Sequence, residues 1–409
     1  MTQSAVAAFV VLLAGALVVS IAAERVRIPA AVLLVVAGVC AGSIAHLHLP
    51  FAFGPTLLFV FLPPLIFEAA WTIDLNALRR AANRVALLAF PGTLLTAFAI
   101  AGALVMLHQL SFVSALLFGA IVSATDPVAV IATFRSVAVP VGVRTLVEAE
   151  SLANDGVAVV LYGIALTLVA GGQLSAVGAL AHGVVAVVGG TLIGIGTAAL
   201  VGLVLRATGD AEHEIAATFA QAYLAYLAAD RLGWSGIFAT AASAIALRAM
   251  LRRRASLVEN AAAVDRCWSA AAFVANAAVF IATGLVVPLT RLLDAPVLIA
   301  TAVLVVLAAR LLLAAAIARE PRTAVTVFLA GIRGALPLAL ALSLPETTPD
   351  RGVLVDAVFA VVLATFVLQG LPLGLVVRRL YGTPVSEPSR QAAPQGDAAL
   401  AVQRRRPRG

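Results

Sequence analysis

The sequence predicts an all-α polytopic membrane protein with about thirteen transmembrane helices. Of the 409 residues, 62% are hydrophobic and only 11% are charged, which is too apolar for a soluble domain. The apolar residues are grouped into segments that reach the roughly 20 residues needed to cross a bilayer. Two of these segments, one in each half of the chain, are interrupted by glycine or proline, a pattern typical of transporters built from inverted repeats.

The apolar segments give the order of the predicted spans. They cover approximately residues 4–23, 28–48, 53–72, 84–108, 110–133, 145–170, 175–205, 212–230, 234–250, 265–287, 295–318, 322–344 and 353–379. No basic residue precedes the first segment, and its charges follow it at Glu24 and Arg25. We therefore expect it to be retained as a helix rather than cleaved as a signal peptide.

The distribution of arginine predicts the orientation in the membrane. With the N-terminus outside, the outer loops hold only Arg231, Arg291 and Arg351, and most other loop arginines lie inside. The positive-inside rule then predicts a cytoplasmic C-terminus. The expected location is the plasma (inner) membrane. Because the basic loops adjoin apolar segments, membrane lipids rather than nucleic acid are the expected partners. Residues 381–409, rich in Pro, Ser, Gln and Arg, predict a disordered cytoplasmic tail.

Few polar residues remain within the spans. A charge at the bilayer centre costs at least about 2.5–3.5 kcal/mol, so each such residue needs a partner or a function. These residues are Glu68, Thr125, Asp126, Glu148, Glu150, Ser151, Asn154, Asp155, Asn276, Arg310, Arg333 and Asp356. We expect Glu148 to be a solvated residue at the inner entrance and Asn276 to hydrogen-bond between helices. Glu68 is either solvated near the interface or a second ion ligand held by Asn154.

Two segments carry a break in mid-span. In SATDPVAV, residues 123–130, Pro127 suits the first position of a helix and Asp126 or Thr125 suits its N-cap, which predicts a second half-helix starting within the membrane. A proline-kinked helix with a capping Asp126 is the alternative. The twelfth segment carries a similar break in GIRGALPLAL, residues 331–340. Such paired breaks point to a substrate site at the membrane midplane.

The sixth segment contains the polar stretch ESLANDG, residues 150–156. Ser151 and Asp155 are four residues apart and share one helix face, as do Glu150 and Asn154 on a neighbouring face. Asp155 and Ser151 offer the oxygen ligands that small hard cations prefer. Glu150 requires a positive partner, for which Arg310 and Arg333 are the buried candidates. A purely structural network of hydrogen bonds and salt bridges is the alternative. The histidines have no metal-ligand spacing, and no resident cofactor is expected.

Five stretches together resemble one family. They are FLPPLIFEAAW, SATDPVAV, ESLANDG, LAYLAADRLGWSGIFA and GIRGALPLALALSLP, and their order and spacing resemble those of the monovalent cation:proton antiporters, the sodium/proton exchanger family, over about residues 5–380. The resemblance implies thirteen helices, two crossed broken helices and a homodimer. It also implies a mobile core, comprising residues 53–72, 84–170 and 265–380, and a dimerisation scaffold. The chain departs from the family at two positions. It has Ala149 where the family often has glycine, and Ser269 where the family often has an acidic residue.

The resemblance also implies roles for particular residues. Asp155 would bind the cation or the proton, with Ser151 and Thr125 around the cation. Glu68 would join them, oriented by Asn154. Asp126 would cap and charge-balance the crossed half-helices and Arg333 would stabilise the second broken helix. Glu150 would pair with Arg310.

The expected function is secondary active transport rather than enzyme catalysis. By the same resemblance, a monovalent cation, Na+ first, would exchange for H+ without net charge, through competition at Asp155 and alternating access. A K+/H+ antiporter and a cation channel of the same fold are the alternatives, although no TVGYG-type filter is visible. An intramembrane hydrolase using Asp126 and Asp155 is disfavoured because the sequence offers no matching nucleophile–histidine set.

Overall fold

The structure is a computed structural model that describes residues 3–26, 30–43, 55–134, 137–172, 175–207, 210–251, 260–286, 295–318 and 320–382. The predicted tail, apart from its first two residues, lies outside these ranges, as does the arginine run at 252–254. Residue Tyr381, predicted as the first residue of the tail, instead ends the last helix.

The described residues form helices and no strand, and each of the thirteen predicted spans corresponds to one helical unit. In chain order these units are α1 Gln3–Val26, α2 Ala30–Ser43, α3 Pro55–Thr72, α4 Leu75–Met106, α5a Phe112–Ser123 with α5b Pro127–Phe134, α6 Val141–Val169, α7 Ala176–Val204, α8 Ala211–Arg231, α9 Gly236–Leu251, α10 Ala261–Val286, α11 Pro296–Ile317, α12a Pro321–Leu329 with α12b Ala335–Leu342, and α13 Arg351–Tyr381.

Six helices are long and apolar enough, by length and composition, to cross a membrane. They are α4, α6, α11 and α13 in full, α7 without its first residue, and most of α10. The remaining units include shorter apolar helices, such as α9, and the two broken helices. Helices α4 and α13 each contain a π-helical turn, at Leu88–Gly92 and Phe366–Gly370. Such turns locally change the direction in which a helix presents its side chains.

The start of α4 differs from the prediction of residue 84. The helix begins at Leu75 because the Asp74 side chain accepts hydrogen bonds from the backbone N–H groups of Asn76 and Ala77, at 2.9 and 2.8 Å. This arrangement is an N-cap. The first turns of α4 are amphipathic, with Arg79 exposed, so hydropathy alone places the boundary too late.

Small residues let α7 approach α9 closely. A Cβ atom at Gly190 would collide with the backbone carbonyl of Ser235, and one at Gly194 with that of Ala239. The glycines at these two positions therefore serve helix packing. Close backbone approach through small residues is a common packing mode of membrane helices.

Two groups of helices can be distinguished by their packing. In the first group, α2 packs against α10 and α1, and α7 packs against α8 and α9. In the second, α4 packs against α5a and α6, while α11 packs against α4 and α13. Helix α3 packs mainly on α9 and α10, yet α3 and α10 both also touch α12b. These two helices therefore lie at the boundary between the groups.

The two broken helices meet at their breaks. The backbone N–H of Asp126, between α5a and α5b, donates to the carbonyl of Ile332, between α12a and α12b, at 2.8 Å. On the other side of the contact, the Asp126 side chain packs directly against Gly334, the residue before α12b. A Cβ atom at position 334 would occupy the space of the Asp126 carboxylate. The crossing therefore requires glycine at this position.

We expect Gly334→Ala to destabilise the protein by about 1–3 kcal/mol, because overpacking at a tightly packed position displaces its neighbours. The melting temperature of purified protein in detergent checks this expectation. Gly196→Ala in α7 is the matched control, since a Cβ atom there meets nothing within 4 Å and alanine favours a helix interior. Equal melting temperatures for Gly334→Ala and the wild type would contradict the described crossing.

Candidate ion-binding site

Helix α6 and the first break bring a set of polar side chains together. Ser151, Asn154 and Asp155 on α6 are buried, as are Thr125 and Asp126 in the break. The hydroxyl oxygens of Thr125 and Ser151 lie 2.8 Å apart in a hydrogen bond. The spacing of four residues between Ser151 and Asp155 therefore does place hydroxyl and carboxylate oxygens on the side of α6 that faces the break.

Asn154 links α6 to the break through its carboxamide. Its Nδ2 donates to Thr125 Oγ1 at 2.7 Å and to Glu150 Oε1 at 2.9 Å, while its Oδ1 accepts from the backbone N–H of Thr125 at 3.3 Å. The amide thus holds Thr125 in place beside Ser151. Both amide hydrogens are used in these bonds. That Asn154 orients Glu68 stays a prediction. Glu68 itself is buried on α3.

Glu150 forms a buried, bidentate ion pair with Arg310 on α11. The two guanidinium N–H groups donate to Oε1 and Oε2 of Glu150 at 2.8 and 2.9 Å, and Arg310 Nε donates to the carbonyl of Val327 at 3.1 Å. Of the two arginines that the sequence left open, Arg310 is the one in contact. A bidentate pair of this kind satisfies both charges and fixes the orientation of the two side chains. It joins α6 to α11 and to α12a.

Arg333 lies in the second break and reaches the end of the first. Its NH1 donates to the carbonyls of Ser123 and Ala124, at 2.6 and 3.0 Å. These carbonyls terminate α5a and carry the partial negative charge of a helix C-terminus, which a guanidinium stabilises. The Asp126 side chain lies at a helix N-terminus, beside Gly334 at the start of α12b. The crossed breaks therefore pair a cation with a helix C-terminus and an anion with an N-terminus.

A cavity of about 40 Å³ opens beside this cluster. Its polar lining consists of Thr125, Asp126, Asp155 and Asn276, and its apolar lining consists of Leu62, Leu65, Ile66, Ala69, Leu152, Ala335 and Leu336. Asp155 is only 9% exposed, and its Oδ1 has no hydrogen-bond partner within the described part of the chain. A buried carboxylate oxygen without a partner is costly, and a bound cation or proton would satisfy it.

One sequence expectation is corrected by the structure and another stays open. Glu148 is buried rather than solvated, and its Oε1 accepts from Arg144 Nε at 2.7 Å, one helical turn earlier. The expected hydrogen bond of Asn276 between helices stays a prediction: its Nδ2 is buried and has no hydrogen-bond partner among the described residues, and the residue belongs to the cavity lining. The signal for Asn276 was present in the sequence as an isolated amide within an apolar span. Its position at the cavity depends on helix packing.

The chain matches the family model described as "Sodium/hydrogen exchanger, transmembrane" over residues 9–379. It is 33% identical to the Na(+)/H(+) antiporter ApNhaP of Aphanothece halophytica, covering 79% of this chain and 64% of that protein, just under two thirds of its length. It is 32% identical to the Na(+)/H(+) antiporter NhaS2 of Synechocystis, covering 93% and 71%. It is also 32% identical to the Na(+)/H(+) antiporter NhaP of Pseudomonas aeruginosa, covering 82% and 84%.

A solved structure shares the fold. The sodium proton antiporter MjNhaP1 from Methanocaldococcus jannaschii, determined at pH 8, superposes with a TM-score of 0.79 at 22% sequence identity, covering 92% of this chain and 98% of that one. The predicted all-α polytopic membrane fold, with its broken helices, is confirmed by this likeness.

Proposed function

Since this chain belongs to the sodium/hydrogen exchanger family, a family of multi-pass membrane transporters rather than enzymes, we propose that it exchanges Na+ for H+ across the membrane. The observation that carries the proposal is the Asp155 carboxylate. It is buried beside a cavity of about 40 Å³, and one of its oxygens has no hydrogen-bond partner among the described residues. This group is able to take up one positive charge, as a proton or as a cation.

The cation would be held by oxygen atoms. Asp155 supplies the charge, and the hydroxyls of Thr125 and Ser151, fixed by their mutual hydrogen bond and by Asn154, supply neutral oxygens. Such ligands suit Na+, K+ or Li+, and the small cavity favours a largely dehydrated ion. Glu68 completes the set in this proposal, from the adjacent helix α3.

Exchange follows from competition for one charge. When Na+ neutralises Asp155, the carboxylate no longer attracts a proton, and a bound proton removes the charge that attracts Na+. Glu150 does not take part in this competition because Arg310 neutralises it. With one alternating acid, one cation replaces one proton, and the cycle carries no net charge. The asparagine at position 154, where a second acid would add charge, supports the same stoichiometry.

Alternating access would arise from movement between helix groups. In this proposal the mobile core comprises residues 53–72, 84–170 and 265–380. The remaining helices form a scaffold through which two copies dimerise. Helices α3 and α10, which contact both groups, would form the sliding boundary. Apolar side chains exposed along α7, such as Leu180, Val184 and Leu192, offer a surface for lipid or a second copy. The arginine distribution supports an outside N-terminus and a cytoplasmic C-terminus. The proposed location is the plasma (inner) membrane.

Proteoliposomes with an internal pH dye test the function. We expect Na+ to drive proton movement that is unaffected when the membrane potential is clamped, because the exchange is electroneutral. The Na+ concentration for half-maximal exchange should rise by up to about tenfold per pH unit as the pH falls, since each proton bound at Asp155 excludes a cation.

Other outcomes would assign a different function. A response to K+ without a response to Na+ would assign K+/H+ antiport. Ion flux that proceeds without any counter-movement of protons would assign a channel and refute exchange. A half-maximal Na+ concentration that does not change between pH 6 and 8 would contradict competition at one carboxylate.

A further inference from the structure

Asn276, a residue of the ion-cavity lining, has a buried amide nitrogen that makes no hydrogen bond within the described residues. The residue is 8% exposed on α10, and its Nδ2 has no hydrogen-bond partner among the described residues. Leaving a buried donor unpaired is costly. The neighbours one turn away on α10 are Ala272, Phe273, Val279 and Phe280, whose side chains offer no acceptor. A side-chain acceptor for Nδ2 must therefore come from outside this helix face.

The cavity supplies the complementary atom. Asp155 Oδ1 is a buried acceptor without a hydrogen-bond partner, and Asn276 Nδ2 is a buried donor without one; the two residues line the same cavity of about 40 Å³. A water molecule needs roughly 10–15 Å³ of such space, so the cavity has room for about three water-sized particles. An ion at Asp155 and a bridging water both fit within it. The other lining residues besides Thr125 and Asp126 are apolar.

We propose that Asn276 is a positioning residue that donates a hydrogen bond, directly or through one water, to Oδ1 of Asp155 and so favours the cation over the proton at that carboxylate. This inference rests on the proposed exchange function. A donated hydrogen bond stabilises the ionised carboxylate, which is the form that binds a cation. Since Asn276 lies on α10, at the boundary between the two helix groups, the bond also links the ion-binding acid on α6 to that boundary.

Other charged groups surround Asp155 and remain in every variant used to test this inference. Asp126 and Arg333 lie in the two breaks, Glu150 lies on α6 in its pair with Arg310, and Glu68 lies on α3. A change on substitution of Asn276 is therefore measured against a constant electrostatic background.

The test compares Asn276→Ala with the wild type in proteoliposomes. Removing the donor destabilises the ionised form of Asp155. We therefore expect the Na+ concentration for half-maximal exchange to rise about tenfold, equivalent to about 1.4 kcal/mol. The pH profile of exchange should shift by about one unit to higher pH, because the carboxyl now loses its proton only at higher pH. Stabilisation of the detergent-purified protein by Na+, measured as a melting-temperature shift, should fall in parallel and reports binding without transport.

Further variants separate positioning from packing. Asn276→Ser keeps a donor and should restore much of the wild-type pH profile, whereas Asn276→Asp places a second acid at the cavity and should shift the profile further to higher pH than Asn276→Ala. Gln221→Leu is the matched control. Gln221 on α8 also has a buried amide atom without a hydrogen-bond partner, but it does not line this cavity, so its Na+ dependence should equal that of the wild type.

The outcomes distinguish this inference from the function it rests on. If the wild type exchanges Na+ for H+ and Asn276→Ala keeps the same Na+ dependence and pH profile, the inference is overturned and the function stands. If Asn276→Ala does not fold, equal pH profiles for Asn276→Ser and Asn276→Asp would overturn it. If the wild type neither exchanges nor is stabilised by Na+, the proposed function fails, and the inference fails with it.

Discussion

Asp155→Asn is expected to abolish Na+-dependent proton exchange, reducing it to the level of empty vesicles. Asparagine has nearly the same shape as aspartate, but it carries no charge and cannot release a proton at this position. A unit charge about 4 Å from the ion contributes about 4 kcal/mol at an effective dielectric constant of 20, or roughly a thousandfold in affinity. The measurement is dye dequenching in proteoliposomes after addition of Na+, Li+ or K+.

The control for this experiment is Asp230→Asn. Asp230 lies exposed near the end of α8, outside the cavity lining, so its substitution should leave exchange unchanged. The melting temperature of Asp155→Asn without added Na+ should not fall below that of the wild type, because the substitution removes a buried charge. Retention of cation-dependent proton movement in Asp155→Asn would show that another group binds the exchanged ions.

Arg310→Ala is expected to destabilise the protein strongly, by about 3–5 kcal/mol, because it leaves the Glu150 carboxylate buried without its cation. The substitution also disturbs the ion site, because Glu150 accepts a hydrogen bond from Asn154, and Asn154 in turn donates to Thr125. Melting temperature and the yield of monodisperse protein measure the effect. Combining Glu150→Leu with Arg310→Met should recover much of the lost stability, because an apolar pair of similar volume avoids the desolvation cost of both charges.

An exposed contact between an aspartate and a histidine provides the control for the buried ion pair. Asp210 and His213 lie 3.3 Å apart before and within the first turn of α8, with both side chains mostly exposed. Asp210→Asn should therefore change the melting temperature little, as exposed pairs contribute only about 0–1 kcal/mol. If Arg310→Ala melted like the wild type, the Glu150–Arg310 pair would not stabilise α6 against α11.

The elements that the sequence predicts best are those in which a rare residue stands in an apolar background. Pro127 and the surrounding polar residues locate the first break, and Asp155 stands out because a buried charge requires a reason. The thirteen spans follow from length and hydropathy. The resemblance to the exchanger family then names Arg310 as the partner of Glu150, which local spacing leaves open between two arginines.

Other features depend on packing that spacing does not encode. Helix α4 begins early because Asp74 caps it, although its first turns are too polar to count as a span. Glu148 is buried by neighbouring helices and paired with Arg144. Asn276 lines the cavity only because α10 packs against α3 and α12b, so its sequence context alone indicates nothing more than a polar residue at depth.

The central claim is that a cation and a proton compete for Asp155. Its most direct test is the number of protons released when Na+ is added to purified protein in weakly buffered detergent solution, near the pH at which half of the sites are protonated. Wild-type protein should release protons on Na+ binding, approaching about one per bound ion as the pH is lowered, and Asp155→Asn should release none. Saturable Na+ binding without proton release in the wild type, or release that persists in Asp155→Asn, would contradict the claim.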